Sequence, residues 1–204
     1  MDRIEEILSY WFDDLDDRTP LTTDSPIFHR WFGKDEATDR EIRTNFEQDH
    51  QRAVRGGYDD WQGTPRGSLA LVVLLAQFPR NMYRGTPRAF ASDSRALSIC
   101  HRAVEKGDDR KLDLIRRMFL CMPLMHSESM GDQRKSTECF RMLVEEARRK
   151  RSANETFLAS SFDYARKHAE IIERFGRYPH RNRALGREST PEEIEFLEEP
   201  GSSF

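Results

Sequence analysis

Hydrophobic residues recur three or four positions apart along most of the chain, which is the spacing of a buried helix face. The first such stripe predicts a helix ending near Asp16 and consists of Ile4, Ile7, Leu8, Trp11, Phe12 and Leu15. A second helix is predicted from residue 35 to about residue 54, because the glycine pair at 56–57 would end it. The chain therefore begins with two amphipathic helices joined by a loop.

The centre of the chain is more apolar than its start. Residues 69–78 are hydrophobic on every face, which predicts a central helix covered on all sides, with a buried strand as the alternative. Thr190, Pro191 and Glu193 have the spacing of a capping box, which predicts a last short helix. Four further helices are predicted from stripes at 90–104, 112–126, 133–147 and 157–175.

No period-two run or hairpin turn interrupts these stripes, so the predicted fold class is all-α. About eight or nine helices joined by short loops indicate a compact bundle of stacked antiparallel helix pairs. A chain of 204 residues without an internal Pro/Gly/Ser-rich linker is predicted to be a single domain over residues 1–204.

The apolar segments also bear on location and on the cysteines. The start of the chain lacks the apolar core of a secretory signal, and the longest apolar run is far below the roughly 20 residues of a membrane span, so a cytoplasmic protein without a membrane partner is predicted. Cys100, Cys121 and Cys139 are odd in number and widely spaced, which fits neither a disulfide framework nor a metal motif. Each is predicted to be a small buried residue.

Positive charge is concentrated in two segments. Residues 61–91 contain no acid and carry +4, and residues 174–187 contain no acid and carry +5, so the rest of the chain must carry −12 to give the total of −3. An acidic surround would repel a long polyanion, so this division argues against nucleic acid and favours a local basic pocket for a small anion.

Three long stretches, at 77–93, 122–128 and 168–182, resemble the signature motifs of the bacterial domain-of-unknown-function 924 family. Trp11 with Phe12, and Trp31 with Phe32 and Gly33, also fit that family. The resemblance implies an all-helical, superhelical fold similar to tetratricopeptide-repeat folds, and it implies no reaction or cofactor. One position departs from the family, which usually carries an aspartate where this chain has Ala76. Either a functional carboxylate is lost here, or the pocket is more positive.

Arginines dominate both basic segments. Pro79, Gly85 and Pro87 interrupt the helix there, so the guanidinium groups of the first segment are expected to converge. Arginine binds carboxylate or phosphate through a planar fork, which supports an oxyanion site. The predicted ligand-binding residues are Arg80, Asn81, Arg84, Arg88, Asp93, Arg177, His180 and Arg181. The alternative is that the arginines pair with acids or helix ends and only fix loops.

The histidines are the candidates for chemistry. His180 follows a predicted helix exit and is expected at the rim of a loop, where it would protonate near neutral pH. His126 and His168 fall on apolar stripes, with Glu128 and Asp93 as potential partners, or they are core histidines bonded through one ring nitrogen. The candidate catalytic residues are His126, His168, His180 and Glu128. No metal-binding motif or nucleophile elbow occurs, so no metal site is predicted.

Two functional hypotheses follow. The first is an arginine- and histidine-rich internal pocket that binds a small anionic molecule, with hydrolytic chemistry at a histidine as its candidate activity. The second is a helical adaptor that binds a peptide carboxylate or a partner protein. Arginines enclosed with His168 and Asp93 would favour the first, and arginines on a concave surface the second. The identity of the ligand, the presence of catalysis and the formation of a homodimer are left open.

Overall fold

Every regular element between residues 2 and 202, the part of the chain that this computed structural model describes, is helical. The α-helices are α1 (Arg3–Phe12), α2 (Pro26–Phe32), α3 (Glu36–Val54), α4 (Pro65–Val72), α5 (Phe78–Met82), α6 (Asp93–Glu105), α7 (Leu114–His126), α8 (Met130–Lys150), α9 (Glu155–Phe175), α10 (Asn182–Leu185) and α11 (Pro191–Leu197). A π-helical segment (Val73–Gln77) joins α4 to α5, and short 3₁₀ turns lie at Asp59–Gly63, Pro87–Ala89, Asp109–Lys111 and Pro179–Arg181.

The all-α prediction is confirmed. The first helix is shorter than predicted, because Asp13 adopts a positive φ of 51° and ends α1 after Phe12. Helices α2 and α10 are too short for their hydrophobic spacing to have predicted them. The similarity to tetratricopeptide-repeat folds and the single-domain assignment stay predictions.

The core is built around the continuous helix formed by α4, the π-helical segment and α5. This continuous helix packs against α1, α3, α6 and α7. Helix α8 packs in turn against α7, and α8 and α9 form the most extensive helix pair. Aromatic residues join α2 to its neighbours: the Trp31 ring lies 4.5 Å from Phe119 of α7, and the Trp31 indole N–H donates to the Trp11 carbonyl of α1 at 2.7 Å. Phe32, the next residue of α2, is 46% exposed.

Asn154 connects the turn between α8 and α9 to the loop after α1. It is almost fully buried, and its Oδ1 accepts from the Leu21 amide at 2.8 Å. Its Nδ2 donates to the carbonyls of Asp16 and Thr19 at 3.1 and 3.0 Å. A single side chain thus replaces the hydrogen bonds that these loops would otherwise make with water.

The three cysteines lie together in the core. The Sγ atoms of Cys121 on α7 and Cys139 on α8 are 3.4 Å apart, and Cys100 on α6 also reaches Cys121. The hydrogen bond with the Cys100 thiol, together with burial, raises the pKa of Cys121. These thiols pack as small apolar groups. Between residues 2 and 202, no helix is both long and apolar enough to cross a bilayer.

Pro79 causes the irregularity in the central helix. It has no amide hydrogen, so the Leu75 carbonyl, four residues earlier, has no α-helical donor. The Phe78 amide bonds to the Val73 carbonyl in the π-helical segment, so it is not the donor to the Leu74 carbonyl either. The imidazole Nδ1–H of His50 donates to the Leu74 carbonyl at 2.9 Å, and the Ser92 hydroxyl donates to the Leu75 carbonyl at 2.6 Å. The side chains of His50, on α3, and Ser92, just before α6, therefore supply the hydrogen bonds that these two carbonyls lack, next to the turn that carries Arg80.

Substitution of Ser92 by Ala is expected to destabilise the fold by about 1–3 kcal/mol, because the Leu75 carbonyl stays buried without its donor. Ser92 makes no capping hydrogen bond to α6, so this loss is separate from capping. The measurement is the free energy of unfolding in urea. Ser94→Ala, at an exposed position in the first turn of α6, is the control and should change it by less than about 0.5 kcal/mol. Equal effects of the two substitutions would contradict this account.

Candidate functional site

Two of the three arginines after Pro79 bind acids on α3. Arg84 donates to both oxygens of Asp39 at 2.9 and 2.8 Å, and Asn81 donates to the same carboxylate at 2.9 Å. Arg88 lies 3.4 Å from Glu47. The predicted convergence of the three guanidinium groups is therefore wrong, because Arg84 and Arg88 pair with acids of α3 whereas Arg80 pairs with Asp93 of α6.

Arg80 instead meets Arg181 from the second basic segment. Arg80 binds both oxygens of Asp93, the first residue of α6, at 2.7 and 2.8 Å. Arg181 lies 3.7 Å from the same carboxylate and donates to the His126 carbonyl at 3.0 Å. One carboxylate thus faces two guanidinium groups, and it forms the close bidentate pair with only one of them.

Arg181 is enclosed between two aromatic rings. Its guanidinium carbon lies 4.9 Å from the centre of the Phe90 ring and 4.5 Å from that of Tyr178, and the residue is only 7% exposed. Burial, and then the nearby positive charge of Arg80, lower the pKa of Arg181 to about 10. The surroundings therefore disfavour a charge that arginine carries at any ordinary pH.

Three histidines complete this group. His168 donates from Nδ1 to the Tyr164 carbonyl at 2.8 Å, and the rings of His168 and His180 lie 5.5 and 5.4 Å from Tyr178. Burial lowers the pKa of His168 and of His180 to about 4 each, so the prediction that His180 protonates near neutral pH is wrong. The interpretation of His168 as a core histidine bonded through one ring nitrogen is confirmed.

His126 lies at the end of α7 beside the same groups. The residue keeps some surface exposure, but its Nδ1 is buried and has no hydrogen-bond partner within the described part of the chain. Burial, and then the charges of Arg80 and Arg181, hold its pKa well below the ordinary value. We call the whole group the arginine–histidine cluster; its members are Arg80, Asp93, His126, His168, His180 and Arg181.

The segment that carries Arg181 is fixed by Tyr178, which is fully buried. The Tyr178 hydroxyl donates to the Met125 carbonyl at 2.5 Å and accepts from the Gln133 amide at 2.8 Å. The Tyr178 amide donates to Glu128 at 2.9 Å, and Arg187 binds both oxygens of Glu128 at 2.8 and 3.0 Å. Glu128 is therefore the partner of an arginine and of a backbone amide.

The other arginines of the second segment face its outer side. Arg174 binds Glu192 at 2.9 Å, and Arg177 binds Glu193 at 2.6 Å. Its hydrogen bond with Arg177 lowers the pKa of the Glu193 carboxyl to about 2. Arg183 is exposed. Arg177, predicted as a ligand-binding residue, therefore joins α9 to α11 and lies outside the arginine–histidine cluster.

Ser127 and the position of the family aspartate complete the survey of candidates. The Ser127 hydroxyl donates to Asp132 at 2.8 Å, and the same carboxylate lies 2.8 Å from Nε2 of His101. The hydroxyl therefore bonds to a carboxylate and not to an imidazole that could act as its base. Ala76 is fully buried in the π-helical segment. No group of three or more metal-ligating side chains between residues 2 and 202 is arranged to hold a metal ion.

Two surface clefts lie away from these residues. One, of about 710 Å³, lies between the start of α1 and α3 and contains Arg3 and Asp49, which bind each other at 3.2 Å. The other, of about 610 Å³, follows α2 and contains both Lys34 and Asp35. Each contains positive and negative side chains that are accessible at the surface. The arginine–histidine cluster differs because its Arg181 is buried and because buried polar atoms there have no hydrogen-bond partner among the described residues, so it is the stronger candidate.

Comparison with known proteins agrees with the fold. A family model described as bacterial protein of unknown function (DUF924) matches residues 7–201. The solved structure of a protein of unknown function from Agrobacterium tumefaciens is similar, with 32% sequence identity, coverage of 97% of each chain and a TM-score of 0.77. No curated protein matches the chain.

The neutral histidines make the fold sensitive to acid. The pKa of His168 is 6.5 in its ordinary state and about 4 in the fold, so the unfolded chain binds the proton first as pH falls. The stabilisation from this residue, about 3 kcal/mol, is complete above about pH 6.5 and is lost as pH falls toward about 4. We expect His168→Asn, which keeps a donor but cannot titrate, to flatten the fall of the unfolding free energy with pH.

Urea denaturation at several pH values between about 7 and 4.5 measures this slope. His29→Asn is the control, since His29 is exposed on α2 and lies outside the cluster, and it should keep the wild-type slope. A wild-type slope in His168→Asn would show that another group is responsible for the loss of stability in acid.

Proposed function

The chain belongs to the DUF924 family of bacterial proteins of unknown function, and we propose that its arginine–histidine cluster binds a small anion. The observation that carries the proposal is the enclosed guanidinium of Arg181, whose nearest carboxylate, Asp93, is already the bidentate partner of Arg80. A buried cation without a close counter-ion is costly, so an anion placed beside it would be stabilised strongly.

The charge of the cluster supports the same proposal. At neutral pH the lowered pKa values of the histidines keep them uncharged, so Arg80, Arg181 and Asp93 leave a net charge of +1. Glu128, the next carboxylate, is neutralised by Arg187. A small anion would supply the missing negative charge.

Unused hydrogen-bonding atoms lie in the same place. The Nε of Arg181 and the Nδ1 of His126 are buried and have no hydrogen-bond partner among the described residues. Buried polar atoms are nearly always bonded in folded proteins, so these two atoms are natural contacts for the oxygens of a ligand. Carboxylates and phosphates are the anions that arginine recognises best.

The same groups would serve acid–base chemistry. A neutral imidazole beside a bound anion can accept a proton from water or from the ligand, and the anion would raise its pKa toward neutrality. Hydrolysis is therefore the activity that we propose to test once a ligand is known, with His126 and His180 as the bases nearest the solvent.

A helical adaptor remains the second candidate, and a specific set of contacts favours it. Arg84, Arg88, Arg174 and Arg177 each pair with an acid and connect one segment to another, as expected if the arginines only fix loops. Arg181 differs from these four because it is buried and because its acid, Asp93 at 3.7 Å, is already the bidentate partner of Arg80. The enclosure of this one residue is why we favour a small anion over a peptide.

A pair of matched substitutions tests the proposal. Arg181→Met and Arg183→Met remove the same charge two residues apart, one from the cluster and one from the exposed surface. At about one hundred times its dissociation constant, a bound anion should add roughly 2.7 kcal/mol to stability and raise the melting temperature by several degrees. We expect this rise in the wild type and in Arg183→Met, and its loss in Arg181→Met.

The measurement is thermal melting at constant ionic strength with sulfate, phosphate, acetate and nucleoside monophosphates. An anion that stabilises all three proteins equally acts through general charge screening and contradicts the proposal. The absence of any response in the wild type would favour the adaptor and would lead to tests with carboxylate-bearing peptides.

A further inference from the structure

The charge and arrangement of the cluster also indicate which anion it takes. Resting on the anion site proposed above, we propose that the ligand presents a doubly charged tetrahedral oxyanion, such as a phosphoryl group, and that His126 takes up one proton when it binds. The site would then bind such a dianion more tightly as pH falls.

The excess positive charge of the cluster comes from one residue. Arg80 with Asp93, and Arg187 with Glu128, form bidentate pairs that cancel, so the excess charge of the cluster is that of Arg181 alone. A single negative charge on a ligand would neutralise it. A double negative charge would leave one charge uncompensated in a desolvated place, unless the protein supplied a second positive charge there.

Imidazoles are the groups able to supply this charge. Three histidines lie around one buried guanidinium, where further arginines would be permanently charged and would repel it. An imidazole can stay neutral while the site is empty and become charged when an anion arrives. The arrangement therefore fits a site that gains positive charge when the bound anion carries more negative charge.

His126 is the imidazole placed to take up the proton when the anion binds. The groups that face it are positive or neutral: Arg80 from α5, His168 from α9, and His180 and Arg181 from the last segment. The nearby carboxylates, Asp93 and Glu128, are held by arginines and are not bonded to this imidazole. Only a ligand can therefore provide the negative charge that stabilises His126 as imidazolium, and its buried Nδ1 can then donate to that ligand.

Calorimetric titration with sulfate and with methyl sulfate tests this inference. Both are tetrahedral oxyanions that do not titrate near neutral pH, and they differ in carrying two charges or one. Titration at about pH 6.5 in two buffers of different ionisation enthalpy gives the number of protons taken up by the protein. We expect uptake approaching one per sulfate, an affinity for sulfate that rises by up to about tenfold per unit fall in pH, and little uptake with methyl sulfate.

A substitution identifies the residue that takes the proton. His126→Asn keeps a polar side chain but cannot titrate, so it should bind sulfate with little proton uptake. His29→Asn, exposed on α2, should behave as the wild type. If His126→Asn fails to fold, the wild-type titration in two buffers still decides whether a proton is taken up.

The outcomes separate this inference from the proposal on which it rests. Sulfate binding without proton uptake overturns the inference and leaves an anion site. Unchanged uptake in His126→Asn overturns the assignment to His126. If neither anion binds, and phosphate does not bind either, the anion site itself is refuted. When sulfate does bind, its displacement by inorganic phosphate or by phenyl phosphate distinguishes a free phosphate ligand from a phosphate ester.

Discussion

The hydroxyl group of Tyr178 is the contact on which the candidate site depends. It has no access to solvent, and it bonds the end of α7 and the side chain of Gln133 on α8 at the same time. The ring of the same residue packs against Arg181, His168 and His180. Because a buried hydroxyl must keep its partners, the segment after α9 has one position, and the charged residues that follow it are fixed with it.

The fold also changes how the positive charge of the two basic segments is interpreted. Along the chain they look like concentrations of unopposed positive charge, but in the fold most of their arginines meet acids that lie far away in sequence, such as Asp39, Glu47 and Glu193. Arg181 differs from these because the turn that Tyr178 holds carries it inward, where its acid, Asp93, is already the bidentate partner of Arg80. The useful electrostatic feature is therefore one enclosed guanidinium and not a broad positive surface.

Sequence reasoning was accurate where a property depends on neighbours along the chain. The helical stripes, the capping box at Thr190 and the helix end at Gly176, whose φ is 68°, all follow from local spacing. It failed for the convergence of Arg80, Arg84 and Arg88 and for the ionisation of His180. Those properties depend on which acid or ring lies opposite, and no local pattern contains that information.

The cluster also links acid stability to ligand binding. Without an anion, burial and the neighbouring guanidinium groups keep the imidazoles neutral, so protonation works against the fold. With an anion beside them, the same protonation would strengthen the complex, because the added charge would then face an opposite one. Protonation of the empty site costs stability, and a bound anion would offset that cost. The stability of the fold and the affinity of the site would therefore respond to pH through the same side chains.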